Sequence, residues 1–187
     1  MTTMPLLCRT EASQVVFVDL QGRLTAAMEA EERQQVLTRA GQLAHAAELL
    51  AIPRLVTRQY PEGLGDTDPE LAPALAGATV VDKTRFSCCG QAAFDGPLAD
   101  TGRSQIILAG METHVCVTQT ALELVTAGYT VFVAADATCS RDPQNRERGL
   151  ARLARSGVQV TVTESVLFEW LRDAGHEHFK TISRWLR

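Results

Sequence analysis

Six short apolar runs, separated by longer stretches of helical periodicity, restrict this sequence to a small group of folds. The first run, QVVFVDL, is apolar almost throughout, as in a strand that is covered on both faces. Strand-like runs occupy residues 14–20, 53–59, 78–83, 104–110, 129–136 and 157–163. This alternation predicts βαβ units, and therefore an α/β fold with a parallel, doubly wound sheet.

The segments between the runs predict helices and one irregular connection. Helical patterns cover residues 29–50, 117–127, 141–156, 164–173 and, at the end, 176–186. The connection 59–78 is rich in Pro, Gly and Asp, so we expect a long loop that covers one end of the sheet as a lid or substrate loop. No linker or repeat divides the chain, so we expect one domain over 1–187 with its core at about 14–170.

Charge and cysteine content exclude several classes of protein. The net charge of −4 does not favour a nucleic-acid binder, and no apolar run is long enough to cross a bilayer. The two leucines before Cys8 are too short for a signal-peptide core, so a cytoplasmic setting is expected. There the five cysteines are predicted to be free thiols, without a CxxC pair for zinc or redox chemistry.

Three reactive side chains follow the predicted strands. Asp19 closes the first strand, Lys83 closes the third, and Cys116 lies just beyond the fourth, where a helix begins. The carboxyl ends of parallel strands meet at one edge of the sheet, where ligands bind in folds of this kind. We therefore expect these three residues to converge.

Together these residue types suit acyl transfer. A helix N-terminus and a nearby lysine both stabilise a thiolate, an aspartate can move the thiol proton, and turn N–H groups can hold an oxyanion. Taken singly, each has an ordinary alternative. Cys116 could be a core residue, Asp19 a helix cap and Lys83 a solvated surface residue. The chemical interpretation depends on their occurring together.

The chain resembles the isochorismatase-like cysteine hydrolase superfamily from about residue 14 to 170. The resemblance is carried by VVFVDLQ (15–21), DKTRFSCC (82–89) and LAGMETHVCVTQTALELVTAGYTVFVAADATCSR (108–141). RQYPEGLG (58–65) and GMETHVC (110–116) are most similar to the isochorismatase domain-containing proteins. The resemblance implies a three-layer αβα, Rossmann-like fold with a six-stranded parallel sheet.

The resemblance also implies roles for particular residues. Asp19 matches the family's general base, Lys83 the lysine that activates the thiol, and Cys116 the nucleophile. A cis peptide is implied at Met111–Glu112, with backbone N–H groups of Glu112 and Cys116 directed at the substrate oxyanion. The expected reaction is hydrolysis of a small amide, imide or ester through a thioester on Cys116.

Departures from the family's subgroups narrow the expected chemistry. Nicotinamidases of this superfamily hold a metal beside the triad, but this chain has no histidine between His45 and His114 and no Asp-x-His there. We therefore expect no metal and no other cofactor. True isochorismatases usually lack the cysteine, so the presence of Cys116 favours amide, imide or ester substrates.

Other residues have alternative interpretations. Gln21, Phe86 and His114 are candidates for the substrate pocket, although Phe86 could be core and His114 could face solvent or another subunit. Burial is the expected role of the adjacent Cys88 and Cys89.

At the level of the whole protein, a non-catalytic scaffold or interaction protein on the same fold is the alternative to a hydrolase. The expected partner is a small-molecule substrate, with neither nucleic acid nor membrane. The family resemblance implies a homo-oligomer, dimeric or larger.

Overall fold

A computed structural model describes residues 7–186, and its centre is a single six-stranded sheet. The strands are β1 (Ser13–Val18), β2 (Arg54–Gln59), β3 (Thr79–Lys83), β4 (Gln105–Met111), β5 (Thr130–Cys139) and β6 (Gln159–Thr161). All neighbouring strands are parallel, in the order β3-β2-β1-β4-β5-β6. The predicted six-stranded parallel α/β sheet is confirmed, and the order reverses direction beside β1, where such folds place their sites.

Helices connect the strands. They are α1 (Gly22–Thr25), α2 (Ala30–Leu49), α3 (Pro61–Leu64), α4 (Ala92–Asp100), α5 (Thr118–Thr126), α6 (Pro143–Arg155), α7 (Thr163–Leu171) and α8 (Phe179–Trp185). The sequence did not predict α4, because Gly96 and Pro97 interrupt its helical pattern. The predicted terminal helix 176–186 begins three residues later, at Phe179.

The two faces of the sheet build two hydrophobic cores. Along β1, Val15 and Phe17 point to one face, and Val16 and Val18 point to the other, as the period of a strand requires. The first core is closed by α2, α7 and α8, and the second by α4, α5 and α6. Because both faces are covered, β1 and β4 are buried along their whole lengths.

The connection 59–78 is more ordered than its composition predicts. It contains α3 and a 3₁₀ turn at Ala72–Leu75. Its central carboxylate, Asp68, is buried and accepts hydrogen bonds from Thr25 (2.5 Å) and Arg33 (3.0 Å). The expected lid loop is therefore a partly helical segment that is fastened to α1 and α2.

Gly110 allows β4 to pass very close to β1 at the edge where the predicted triad residues lie. Its φ is +129°, and a Cβ atom there would lie 2.0 Å from the Val18 carbonyl oxygen. Only glycine fits this conformation and this spacing. Within residues 7–186, no helix has both the length and the apolar character that a bilayer crossing needs.

Candidate active site

Asp19 and Lys83 meet at the carboxyl ends of β1 and β3. Asp19 follows β1: its N–H still donates to the Thr57 carbonyl of β2 at 3.1 Å, but its left-handed backbone (φ 52°) ends the extended conformation of the strand. Lys83 is the last residue of β3. Its Nζ lies 2.7 Å from Asp19 Oδ2, and neither side chain is exposed. The two residues form an ion pair without solvent contact.

Cys116 lies in a turn between β4 and α5. The Met111–Glu112 peptide bond at the end of β4 is cis, and a π-helical turn follows at Thr113–Val117. Thr113 Oγ1 donates to the Cys139 carbonyl (3.0 Å), and Thr118 Oγ1 donates to the Thr113 carbonyl (2.6 Å). These bonds fix the turn, so the thiol is held just before the point where the regular helix begins.

Burial governs the protonation state of Cys116. Burial and, after it, the negative charge of Asp19 raise the pKa of this thiol to about 12, although the charge of Lys83 acts in the opposite direction. The sequence predicted a thiol activated by a helix N-terminus and a lysine, but in the resting structure burial and the Asp19 charge outweigh the lysine. Cys116 is therefore a neutral thiol at pH 7, and Asp19 is near enough to its proton to act as the base.

Lys83 acts on this site through its charge. Four oxygen atoms surround its Nζ: Asp19 Oδ2 (2.7 Å), Gln59 Oε1 (2.6 Å), the Phe86 carbonyl (3.1 Å) and the Arg85 carbonyl (3.2 Å). An ammonium group has three N–H donors, so every one of them has a partner within the protein. Lys83 thus holds Asp19 and places a positive charge near the thiol without a donor left over for substrate.

The three predicted pocket residues differ in their surroundings. Gln21 is fully buried, and its amide bonds to the backbone of Gln59 (2.7 and 3.0 Å) and to the Gly65 carbonyl (2.7 Å). Through these contacts Gln21 holds the end of β2 and the connection that follows it in place. Phe86 is 56% exposed, which excludes the core alternative. His114 is partly buried, and its Nδ1 lies 2.9 Å from Ser140 Oγ.

Sequence reasoning missed two further polar residues of the site, Thr57 and Gln59 on β2. Thr57 is fully buried and donates to Asp19 Oδ1 at 2.7 Å, while Gln59 accepts from Lys83. A signal was present, because Thr57 and Gln59 stand two residues apart in a predicted strand, and side chains at that spacing face the same side. Cys88 also lies here, with its Sγ 3.7 Å from Thr57 Oγ1.

The rim of the site carries one further ion pair, and the described residues offer no ready metal site. The Glu112 carboxylate accepts hydrogen bonds from Arg141 N (2.9 Å) and Nε (3.2 Å). Across residues 7–186, no three His, Cys, Asp or Glu side chains come together as metal ligands. The side chains that meet at this site supply a thiol, a carboxylate and an ammonium held by protein oxygen atoms.

The buried thiols predict a loss of stability in alkali. Burial raises the pKa of Cys139 and of Cys116 to about 12 in the folded chain, while an unfolded thiol ionises near a pH of about 8.5. As the pH rises, the thiols of the unfolded chain therefore lose their protons first. The stability that these two thiols contribute is fully present below a pH of about 8.5 and is lost as the pH rises toward 12. Each thiol contributes a decline of at most about 1.4 kcal/mol per pH unit. Denaturant titrations from neutral pH to pH values near 11 measure this slope.

Cys139→Ala provides the comparison for this slope, because it removes one buried thiol at the end of β5. We expect the variant to start from a lower stability and to decline less steeply with pH. Equal slopes in the wild type and the variant would contradict the assignment, since titration of other groups is common to both chains.

Comparisons with known proteins agree with this fold. The isochorismatase domain family matches residues 13–165. Isochorismatase domain-containing protein 1 of Danio rerio is 44% identical over 142 residues, which are 75% of this chain and 49% of that protein. Isochorismatase domain-containing protein 2 of the same organism is 34% identical over 177 residues, or 95% of this chain and 88% of that protein. The chain thus spans about half the length of the first of these relatives.

Two solved structures are also similar over nearly the whole chain. The MAR1 ribonuclease from Caenorhabditis elegans superposes with a TM-score of 0.88 at 32% identity, covering 96% of this chain and 92% of that one. YcaC from Pseudomonas aeruginosa, solved with hexane-2,5-diol and covalent acrylamide, gives a TM-score of 0.87 at 26% identity, covering 98% and 93%.

Proposed function

The chain belongs to the isochorismatase family, and from that premise we propose that it is a metal-independent cysteine hydrolase of small amides, imides or esters. The observation that carries the proposal is the enclosed pair of Asp19 and Lys83 beside the Cys116 thiol, with 2.7 Å between Nζ and Oδ2. A buried ion pair contributes little net stability as a rule, so its position beside a thiol favours a chemical role.

The resting protonation states define the first half of the reaction. Cys116 is a thiol, so Asp19 takes its proton while Sγ attacks the substrate carbonyl carbon. The backbone N–H groups of Glu112 and Cys116 are the proposed donors to the oxyanion. The tetrahedral intermediate collapses to a thioester, and the leaving amine or alcohol takes the proton that Asp19 received.

The same groups serve the second half. Asp19 accepts a proton from water as the water oxygen attacks the thioester carbonyl, and the bond between that carbon and Sγ breaks. The released thiolate recovers the proton from Asp19, which returns the site to its starting state. Lys83 keeps its positive charge throughout and stabilises the thiolate whenever it forms.

Small carbonyl compounds suit this site better than RNA does. Cys116 is only 6% exposed and Lys83 only 3%, so a polymer has little access to either. The Lys83 ammonium, which could hold a phosphate, already bonds to protein oxygens, and the net charge of the chain is −4. The C. elegans relative is named a ribonuclease, which makes RNA the competing substrate to test. The acrylamide adduct of P. aeruginosa YcaC supports a small amide as a ligand of this fold.

A substrate panel tests the proposal. Primary amides, cyclic imides, esters and a single-stranded RNA are offered to the wild type and to Cys116→Ala, and products are followed by mass spectrometry. We expect turnover of one or more carbonyl compounds by the wild type alone, and no RNA cleavage that depends on Cys116. RNA cleavage that depends on Cys116, without turnover of any carbonyl compound, would favour the ribonuclease instead.

The scaffold alternative predicts a different result from the same panel. It requires that no compound, RNA included, be turned over in a manner that depends on Cys116. It also requires that a partner protein bind the wild type and Cys116→Ala equally well.

A further inference from the structure

We propose that Thr57 and Gln59 of β2 are positioning residues that hold the Asp19–Lys83 pair in its reactive geometry, and that Cys88 supports Thr57 by donating to its hydroxyl oxygen. The inference rests on the proposed function, since it gives these residues a part in the chemistry of the same site. Thr57, Gln59 and Cys88 form a second set of polar groups, fully or partly buried, that contacts the reactive pair from within the protein.

β2 places Thr57 and Gln59 on one side of the sheet. They are two residues apart in a strand, so their side chains share a face, while Arg58 between them points the other way. Arg58 bonds instead to Asp82 (2.7 Å) and Asp66 (2.8 Å) at the exposed surface. The alternation of the strand thus separates a surface ion-pair network from the groups that contact the reactive pair.

The Asp19 carboxylate is held at both oxygens. Thr57 Oγ1 donates to Oδ1 at 2.7 Å, and Lys83 Nζ donates to Oδ2 at 2.7 Å. With one strong bond on each oxygen, the carboxylate cannot rotate freely about its χ2 angle. The lone pairs of the Asp19 carboxylate that remain free therefore point in a fixed direction. This orientation favours transfer of the Cys116 proton to Asp19.

The hydrogen-bond geometry around Thr57 determines which way its hydroxyl points. A hydroxyl has one donor, and the charged Asp19 oxygen at 2.7 Å is a far better acceptor than Cys88 Sγ at 3.7 Å. Cys88 is therefore the donor to Thr57 Oγ1. Burial raises the pKa of Cys88 to about 11, so it keeps the proton that this role needs. Its own N–H is fixed by Thr120 Oγ1 at 3.0 Å.

Gln59 holds the Lys83 ammonium through its amide oxygen. Its Nε2 donates to the Thr84 carbonyl at 2.7 Å, so its Oε1 must be the atom that accepts from Lys83 at 2.6 Å. The Gln59 backbone is held in turn by both groups of the Gln21 amide. Gln21 therefore supports the reactive pair indirectly, because it holds the backbone of Gln59.

Thr57→Val tests the inference, with Thr57→Ser as the variant that keeps the hydroxyl. The titratable groups near Asp19 are Lys83, Cys116 and Cys88, and all three remain in these variants. We expect Thr57→Val to lower kcat roughly tenfold to hundredfold, the usual effect of losing a hydrogen bond to a charged group, with KM little changed. Thr57→Ser, which keeps the hydroxyl donor, should restore most of the lost kcat.

Alkylation of Cys116 provides a readout that needs no substrate. The rate of its reaction with acrylamide is followed by peptide mass spectrometry, which separates it from the other thiols. We expect a fall of roughly tenfold in Thr57→Val and a smaller fall in Cys88→Ala, with recovery in Thr57→Ser and in Cys88→Ser, which keeps a donor.

Thr25→Val is the matched control for a buried threonine that loses its bond to a carboxylate. Thr25 lies on α1, is fully buried and donates to Asp68 at 2.5 Å, and it shares no hydrogen bond with Asp19, Lys83 or Cys116. We expect it to lower the melting temperature without changing the Cys116 alkylation rate. Equal alkylation rates in the wild type and Thr57→Val would overturn the inference. A different pair of results would overturn the proposed function and leave the inference standing. In that case Thr57→Val slows the labelling of Cys116, but the wild type hydrolyses no carbonyl compound.

Discussion

Cys116→Ala is expected to lower kcat on the best carbonyl substrate by at least about 10⁴-fold, the usual result of removing a nucleophile that forms a covalent intermediate. The reason is specific to this site. Asp19 and Lys83 are bound to each other and to β2, so neither can replace the thiol as a nucleophile. Steady-state kinetics and mass spectrometry of a trapped acyl-enzyme measure the loss, and the wild type alone should gain the mass of the acyl group.

Cys8→Ala is the matched control for this substitution. Cys8, like Cys116, is a buried thiol, but the adjacent Arg9 N–H bonds to Gln105 at the amino end of β4, at the opposite end of the sheet from Cys116. Both variants lose the same sulfur atom, so a difference between them reports chemistry and not packing. If acyl groups accumulate on Cys88 or Cys89, or if Cys116→Ala keeps a tenth of the wild-type kcat, Cys116 is not the nucleophile.

The part of the fold that follows from local periodicity was readable from the sequence. The apolar runs that became β1 and β4 are buried on both faces, and their patterns predicted the strands to within two residues. The helix α4 was missed, because Gly96 and Pro97 resemble a turn and its burial depends on contacts with distant strands. Periodicity reports which face a helix buries, but not whether tertiary contacts will override weak helix formers.

The site shows the same division between local and tertiary information. That Asp19, Lys83 and Cys116 end or follow parallel strands is a local fact, and topology alone predicted their convergence. The protonation state of Cys116 was not predictable in this way. It depends on how much of the thiol the surrounding core covers, and that burial outweighs the lysine. The contacts of Thr57 and Gln59 were hidden for a related reason, since their partners come from other strands.

The ion pair is expected to couple stability to function, and Lys83→Met should show this by a loss of about 3–5 kcal/mol in the free energy of unfolding. The substitution leaves the Asp19 carboxylate unexposed and without a counter-ion, with Thr57 as its remaining side-chain donor. It also removes the charge that stabilises the thiolate, so kcat should fall by at least about 10²-fold. Denaturant unfolding at neutral pH measures the first effect, and the substrate panel measures the second.

The double variant Asp19→Asn with Lys83→Met separates these two effects. Removing the second charge relieves the uncompensated carboxylate, so we expect the double variant to be more stable than Lys83→Met alone, with a coupling free energy of about 2 kcal/mol or more. Its activity, in contrast, should fall further, because an amide in place of the Asp19 carboxylate leaves no base to take the Cys116 proton. A coupling near zero would mean that the two charges do not depend on each other in the folded chain. If the buried pair serves the reaction and not the stability of the fold, the double variant should regain stability without regaining turnover.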